Sequence, residues 1–349
     1  MTTRPSPSKT PVSTPRTGGT RLQDIADHLG LSQSTVSRAL AGHAAISEAT
    51  RAAVQQAAAD LGFRFGAGNR RVRKSTTRMI GLVVGNLHNS FMTLLLEELH
   101  DAFASYGYHT TLIIDSLNEV EQLARFRPLI DGYFDGMVFA TATLDSKIVP
   151  ELQRRGVPLV LVVRSVDGLP VDTVEIDNFH AGAEAARHLP QLGHRRVALV
   201  MGPRNTSTAR DRAKGALSVL RAGRDAESAI LWGHYTTEHG YSSTMQVLAR
   251  PEPPTAIIAG NDTIALGVLE AAKVSGVAVP KRLSVIGFDD NPASGSPLIG
   301  LTTVRQPVQA MARTTARRLL ERIGAQNINP PTRDLLPTQL IVRRTTGAA

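Results

Sequence analysis

The chain has 349 residues, 42% of them apolar and 20% charged, which is too long for one small domain and ordinary for a globular protein. It has no cysteine, excluding disulfides and thiolate metal sites, and no apolar run near the roughly 20 residues of a membrane span. Nearly all of its net charge of +9 lies at one end: 12 Lys/Arg stand against 4 Asp/Glu up to residue 78, and 27 against 26 beyond it.

Residues 1–19 are Thr, Ser, Pro, Gly, Lys and Arg with almost no apolar side chain. Such a segment cannot offset its ordering entropy by burial and is expected to be disordered. It has no apolar stretch behind its charges, so no secretory signal is read there and a cytoplasmic location is expected.

Residues 20–62 read as three short helices. Leu22, Ile25, Ala26 and Leu29 recur at helical spacing, with Thr20 and Gln23 in capping-box positions and Gly30 as the stop. A second helix runs from about Ser32 to Leu40 with Val36, Ala39 and Leu40 inward, ended by Gly42. A third starts at the cap Ser47 and turns Val54, Ala57, Ala58 and Leu61 inward up to Gly62. Ala26, Gly30 and Val36 have the small–glycine–branched spacing of a tight helix-turn-helix crossing. Ser34, Ser37 and Arg38 then point outward, with Gln33 at the edge, able to enter a major groove and reach base edges and phosphates. A generic three-helix scaffold with a solvated face, or a basic tail that only solubilises, would show some of the same features. Residues 63–78 form a basic connector holding Arg64, Arg70, Arg71, Arg73, Lys74 and Arg78, along with Gly66 and Gly68.

From Met79 the texture changes. Apolar strand-like runs at 79–84, 110–115, 136–140, 158–163, 197–201, 255–259 and 283–288 alternate with amphipathic segments such as 91–106, 179–192, 208–222 and 262–275. Buried strands alternating with helices predict a doubly wound parallel α/β fold, and seven strands fit two sheets of a two-lobed binding domain. Ligands of open α/β sheets sit beyond the carboxyl ends of the strands. Asn86, Asn261, Asp262 and Asp289 stand at those ends, Arg212 is placed at a helix start, and Tyr235 follows a short strand-like ILW. A carboxylate, an arginine, amides and an aromatic plane suit a hydroxylated metabolite. Each also has a plainer role: Asp262 as a helix cap, Asp289 and Asp290 as turn residues, Arg212 as a surface cation. There is no GxSxG, P-loop or HExxH pattern, so neither an enzyme nor a cofactor or metal is expected.

The run LQDIADHLGLSQSTVSRALAGHAAISEATRAAVQQAAADLGFR closely resembles the head of the lactose-repressor/galactose-repressor (LacI–GalR) family. RMIGLVVGNLHNSF, GHRRVALVMGPRNTSTARDRAKG, TAIIAGNDTIALGVLEA, LSVIGFDDNP, LTTVRQP and PTQLIVRRTT follow in the family's order, covering about residues 20–345. The resemblance implies a periplasmic-binding-protein-like sensor after the helix-turn-helix head. Lobe 1 would span about 79–176 and 307–333, and lobe 2 about 177–304 and 336–345. It implies a repressor acting as a homodimer on a pseudo-palindromic double-stranded DNA operator, with a small-molecule, sugar-like effector and no membrane. Gln33 and Ser34 would read bases, and Thr35, Ser37 and Arg38 would touch bases or phosphates. Arg212, Asn261 and Asp289 would hold the effector, with Tyr235 as the aromatic and Phe91 in the first lobe's wall. The helix MARTTARRLLERI (311–323) would supply dimer contacts.

Two places depart from the family pattern. The family's hinge helix pushes a leucine into the minor groove, and Val72 stands at that position, flanked by Arg70, Arg71 and Arg73 and preceded by Gly66 and Gly68. Glycines weaken a helix there by about 1 kcal/mol each, so the segment reads either as a hinge helix or as a flexible basic linker. The family's acid at the end of strand 158–163 is missing; Val163 and Arg164 occupy that place, so the ligand class does not transfer. A periplasmic sugar-binding protein shares the two-lobed body, but would carry an export signal rather than a basic three-helix head.

Overall fold

The computed structural model describes residues 22–40, 46–61, 76–85, 87–115, 133–220, 230–324 and 329–349. The chain divides into two units, Met1–Ser75 and Thr76–Ala349. The tail 1–19, Gly42, Gly62, the hinge residues Arg70, Arg71 and Val72, and the strand-end Asn86 lie outside the described residues.

In the first unit the three expected helices form: α1 (Leu22–Leu29), α2 (Gln33–Leu40) and α3 (Glu48–Asp60). Ile25, Ala26, Val36, Ala39, Val54, Ala57 and Ala58 close their small core. Gly30 takes φ +64°, where a Cβ would be strained, and Leu31 N donates to Ala26 O at 2.9 Å to tighten the turn. Ser32 stands just outside α2 and accepts from Thr35 N at 3.1 Å, while Ser47 accepts from Thr50 N at 3.2 Å before α3. Both side chains satisfy amides that a helix start leaves without partners.

The second unit is built on two six-stranded sheets. The first holds β1 (Met79–Val84), β2 (His109–Ile114), β3 (Gly136–Phe139), β4 (Leu159–Val162), β5 (Thr173–Ile176) and β11 (Arg333–Leu336), in the order β11-β5-β4-β3-β1-β2. Every pairing in it is parallel. The second holds β6 (Val197–Met201), β7 (Ile230–Trp232), β8 (Ala256–Ala259), β9 (Ser284–Asp289), β10 (Thr302–Arg305) and β12 (Gln339–Ile341), in the order β12-β10-β9-β8-β6-β7. It is parallel except where β12 runs against β10. All seven predicted strands are present, the strand-like ILW forms β7, and β5, β10, β11 and β12 are additional. The fold class is therefore α/β, two doubly wound sheets behind a helix-turn-helix head.

Helices α4 (Ser90–Ala104), α5 (Ile148–Arg154), α6 (Asn178–Gln191), α7 (Ser207–Leu220), α8 (Thr237–Leu248), α9 (Asp262–Val274), α10 (Pro292–Gly295) and α11 (Val308–Gly324) complete the unit. The chain passes between the sheets three times: after β5, after β10, and between β11 and β12. The strand order reverses between β1 and β3 and between β6 and β8, the places where such sheets open a crevice beyond their carboxyl ends. Those ends meet. Leu144 N donates to Asn205 O at 2.8 Å, and Ser165 N donates to Ser207 Oγ at 3.0 Å. No helix among the described residues is long and apolar enough to cross a membrane.

Candidate functional site

In the head, α2 has two faces. Val36 and Ala39 are fully buried. Gln33, Ser34, Ser37 and Arg38 are exposed, and Ser34, Ser37 and Arg38 share a face by their i, i+3, i+4 spacing. Thr35 is half-buried, and its hydroxyl lies 2.8 Å from that of Ser32. Its side chain helps start the helix, and the Ser34 hydroxyl also lies 2.9 Å from that of Ser32, whereas Gln33, Ser37 and Arg38 extend outward from it.

In the second unit the polar network at the strand ends centres on Arg212. It lies in the second turn of α7 rather than at a helix start, and only 2% of it is exposed. Its Nε donates to Asn178 Oδ1 at 2.9 Å and its Nη1 to Gly260 O at 2.7 Å. Nη1 also stands 3.9 Å from Asp289 Oδ1, and the guanidinium carbon lies 4.6 Å from the centre of the Phe288 ring. The plainer reading of a surface cation does not apply.

Asp289 closes β9 and is buried. Its φ of +117°, followed by +57° at Asp290, turns the chain sharply at the strand end. Gln306 Nε2 donates to its carboxylate at 2.6 Å. Burial pushes the Asp289 carboxyl up to about 6, against the pull of Arg212 and the amides of Gln306 and Asn261. Asp262 is fully buried behind it. Burial and the charge of Asp289 push this carboxyl up to about 8. It accepts from Thr303 Oγ1 at 2.6 Å and from Asn291 N at 2.9 Å. The cap of α9 is Asn261 instead, whose Oδ1 accepts from Ile264 N at 2.9 Å. Asn261 Nδ2 lies close to Asp289 without completing a hydrogen bond, and Gln306 Oε1 is likewise buried without a partner.

Tyr235 follows β7. Its hydroxyl lies 2.9 Å from Thr208 Oγ1, and its ring lies against Gly202, where a Cβ would come within 2.1 Å of Cζ. Arg164 of the first sheet stands 5.7 Å from the centre of that ring. Phe91 follows the α4 cap Asn89, which accepts from its amide at 3.1 Å, and its ring is buried in the core under the first sheet. A cavity of about 670 Å³ opens beside Asp289 and Gln306, walled by Leu94, Glu98, Val308 and Arg313. That volume is within the range of small-molecule pockets. Arg164 and Tyr235 lie outside its walls.

The structure thus brings Arg212, Asn261, Asp289 and Tyr235 to facing strand ends. Asp262 joins them in a role other than the helix cap, and so do residues the sequence reading passed over: Asn178, Gln306, and Asp115 with Thr141, whose hydroxyl donates to the Asp115 carboxylate at 2.9 Å. Asp115 and Thr141 follow apolar strands, so the strand-end rule that found Asn261 would have found them.

A model described as bacterial regulatory proteins, lacI family, matches residues 21–64, and one described as a periplasmic binding protein-like domain matches residues 186–346. The HTH-type transcriptional repressor CytR of Escherichia coli (strain K12) is 32% identical over 330 residues, covering 94% of this chain and 96% of the relative. Among solved structures, a transcriptional regulator CelR–cellobiose complex matches with a TM-score of 0.72 at 29% identity, over 93% of this chain and 99% of that one. The lac repressor dimer bound to operator and the anti-inducer ONPF matches with a TM-score of 0.71 at 25% identity, over 95% of this chain and 100% of that one.

Proposed function

The chain belongs to the LacI family of DNA-binding transcription regulators, and on that premise we propose that it is a repressor, binding a pseudo-palindromic operator as a homodimer and released by a small hydroxylated effector. The observation that carries this reading is the outward row Gln33, Ser34, Ser37 and Arg38 on the second helix of a tight helix-turn-helix. Small and long polar side chains at the N-terminal end of such a helix suit base edges and phosphates. Residues 20–62 are the head and 63–78 the hinge, in which Arg70 and Arg71 take phosphates and Val72 probes the minor groove. Residues 79–345 form the sensor, and α11 contributes to the dimer contact. The protein works in the cytoplasm, where its operator is.

The effector sits between the facing strand ends. Asp289 is the acceptor for its hydroxyls, and Arg212 holds Asp289 in place. Asn261 Nδ2 and Gln306 Oε1, an unused donor and an unused acceptor, flank that carboxylate, and one ligand hydroxyl can serve both. Tyr235 offers a ring face, and the Asn86 side chain a further amide. The cellobiose in the CelR complex is a ligand of this chemistry. Binding releases DNA to the extent that the ligand prefers one arrangement of the two lobes over the other.

Genome-wide mapping of bound sites supplies the operator. On that duplex the full-length protein should bind two half-sites, with affinity falling steeply with salt. Arg38→Ala should lose about 1–3 kcal/mol on the cognate site and far less on unrelated DNA. Undiminished specific binding by Arg38→Ala and Ser34→Ala together would remove the head from its role.

A further inference from the structure

Arg164 is the least satisfied cation in the cleft. It follows β4 and is half-buried, and its guanidinium carries five N–H donors. Its one hydrogen-bond acceptor among the described residues is Thr141 O, at a marginal 3.5 Å. Among the described residues no carboxylate oxygen lies within 4 Å of it. Asp115 is near enough to favour its charge, yet that carboxylate bonds the Thr141 hydroxyl. Burial is the main force lowering the Arg164 pKa, and the neighbouring Arg212 adds to it. Arg212 has two hydrogen bonds and a counter-ion, whereas Arg164 is desolvated, repelled and left with the π face of Tyr235.

The backbone holds it there at a cost. Val163 has φ +71°, and Arg164 N closes a three-residue turn onto Val162 O at 2.8 Å. A positive-φ γ-turn is rare, and rarer with a β-branched residue at its centre. Such outliers persist where the surroundings impose them, and they cluster at ligand clamps. The contact between the lobes does not require Arg164, because Ser165 N and Ser207 Oγ already bridge them.

We propose that the effector carries an anionic group, a carboxylate or a phosphate, which seats on Arg164 while the hydroxylated end of the same molecule seats on Asn261, Asp289 and Gln306. This rests on reading the cleft as the effector site. A planar guanidinium takes either anion with two parallel hydrogen bonds. The ligand class is therefore an acidic or phosphorylated sugar, not a neutral one.

Calorimetry on the full-length protein tests this with four probes: glucuronate, glucose 6-phosphate, inorganic phosphate and neutral glucose. Wild type should bind at least one of the two sugar anions roughly tenfold or more tighter than glucose, and inorganic phosphate weakly. Arg164→Gln should abolish that advantage. Arg164→Lys should keep part of it, since an ammonium retains the charge but not the fork, and it serves as the second variant if Arg164→Gln fails to fold. Preference between glucuronate and glucose 6-phosphate identifies the group. The proposal is overturned if none of the anions binds more tightly than glucose, or if Arg164→Gln binds them as wild type does. Operator binding with and without the anion is read separately. An Arg164-dependent anion that leaves operator affinity unchanged would keep this site and sink the effector reading. A neutral sugar that releases operator would do the reverse.

Discussion

The two facing strand ends of the second unit are built differently. On the second sheet the charged groups are already paired, Arg212 with Asn178, Gly260 and Asp289, and Asp262 with Thr303 and Asn291, and only the amide atoms Asn261 Nδ2 and Gln306 Oε1 beside them stay open. On the first sheet Arg164 has one marginal bond and a strained turn. On one side the charges are fixed in place before any ligand arrives, and on the other a guanidinium has donors to satisfy. A ligand reaching both gains differential affinity for the arrangement that brings Arg164 to it, and only such a difference can move a two-state equilibrium.

The largest effect that would sharpen or break this contrast is on stability. Arg212→Ala strips Asp289 of its buried counter-ion and leaves Asn178 Oδ1 and Gly260 O without their donor. Removing one partner of a buried pair costs about 3–5 kcal/mol. Arg164→Gln removes almost no protein–protein bond and should stay within about 1 kcal/mol of wild type. Urea unfolding of the two variants side by side reads the contrast directly. Equal losses would mean that the second sheet's end is no more preorganised than the first.

Much of this fold was legible in the chain because its central strands are apolar throughout: MIGLVV, VALVM and AIIA are buried on both faces and could only be core. The four strands that escaped notice lack that signature. TVEI carries Glu175, which is 1% exposed and paired with Arg333 of the neighbouring strand at 2.8 Å. RDLL and QLI are half-buried edge strands, and TTVR is three parts polar. The site was legible residue by residue but not in its wiring. Arg212 finds its partners 34 and 48 residues away, at strand ends whose meeting depends on the three crossings between sheets. Asp262 looked like a helix cap because it opens α9. The cap is the residue before it, which frees Asp262 to bind the loop and strand behind Asp289. Arg164 stood out only as a departure from a family pattern, since nothing local tells a paired arginine from an unpaired one.

A second test, smaller in size, concerns protons. Asp262 is pushed up to about 8 from the usual 3.8, so between those values the folded protein holds a proton that the unfolded chain has released. Stability therefore falls as pH rises through this window and levels off above it, with a slope of at most about 1.4 kcal/mol per pH unit. Asp289, pushed up to about 6, acts in the same direction over the lower part. His188, His194 and His239 are lowered by burial and act oppositely below their ordinary 6.5. Glu175, also pushed up by burial, acts in the direction of Asp262, and the window free of the opposing histidines is pH 6.5 to 8. Asp262→Asn keeps both partners if its NH2 faces the Thr303 hydroxyl, and it should flatten the slope there and leave the protein more stable than wild type at pH 9. An unchanged slope would mean that Asp262 is ionised in the fold, and the second sheet's end would then hold one more charge than its pairing can offset.

The smallest expected effect tests the first sheet's side. Val163 is 5% exposed and Val160, three residues earlier in β4, is fully buried. Truncating a buried valine forfeits roughly 1.5–3 kcal/mol of burial, and glycine in a strand costs about 0.5–1 kcal/mol more. Val160→Gly should suffer both losses. Val163→Gly should suffer the first, but glycine at φ +71° removes a strain of about 1–3 kcal/mol, which offsets most of it. The prediction is that Val163→Gly unfolds within about 1 kcal/mol of wild type while Val160→Gly falls well below it, measured by urea midpoints at constant m. Freed of its branched side chain, the same turn would also visit other conformations, so anion affinity at Arg164 should weaken although Arg164 itself is untouched. If instead both glycine variants lost equal stability, the turn would carry no strain, and the aim of Arg164 into the cleft would need no ligand to explain it.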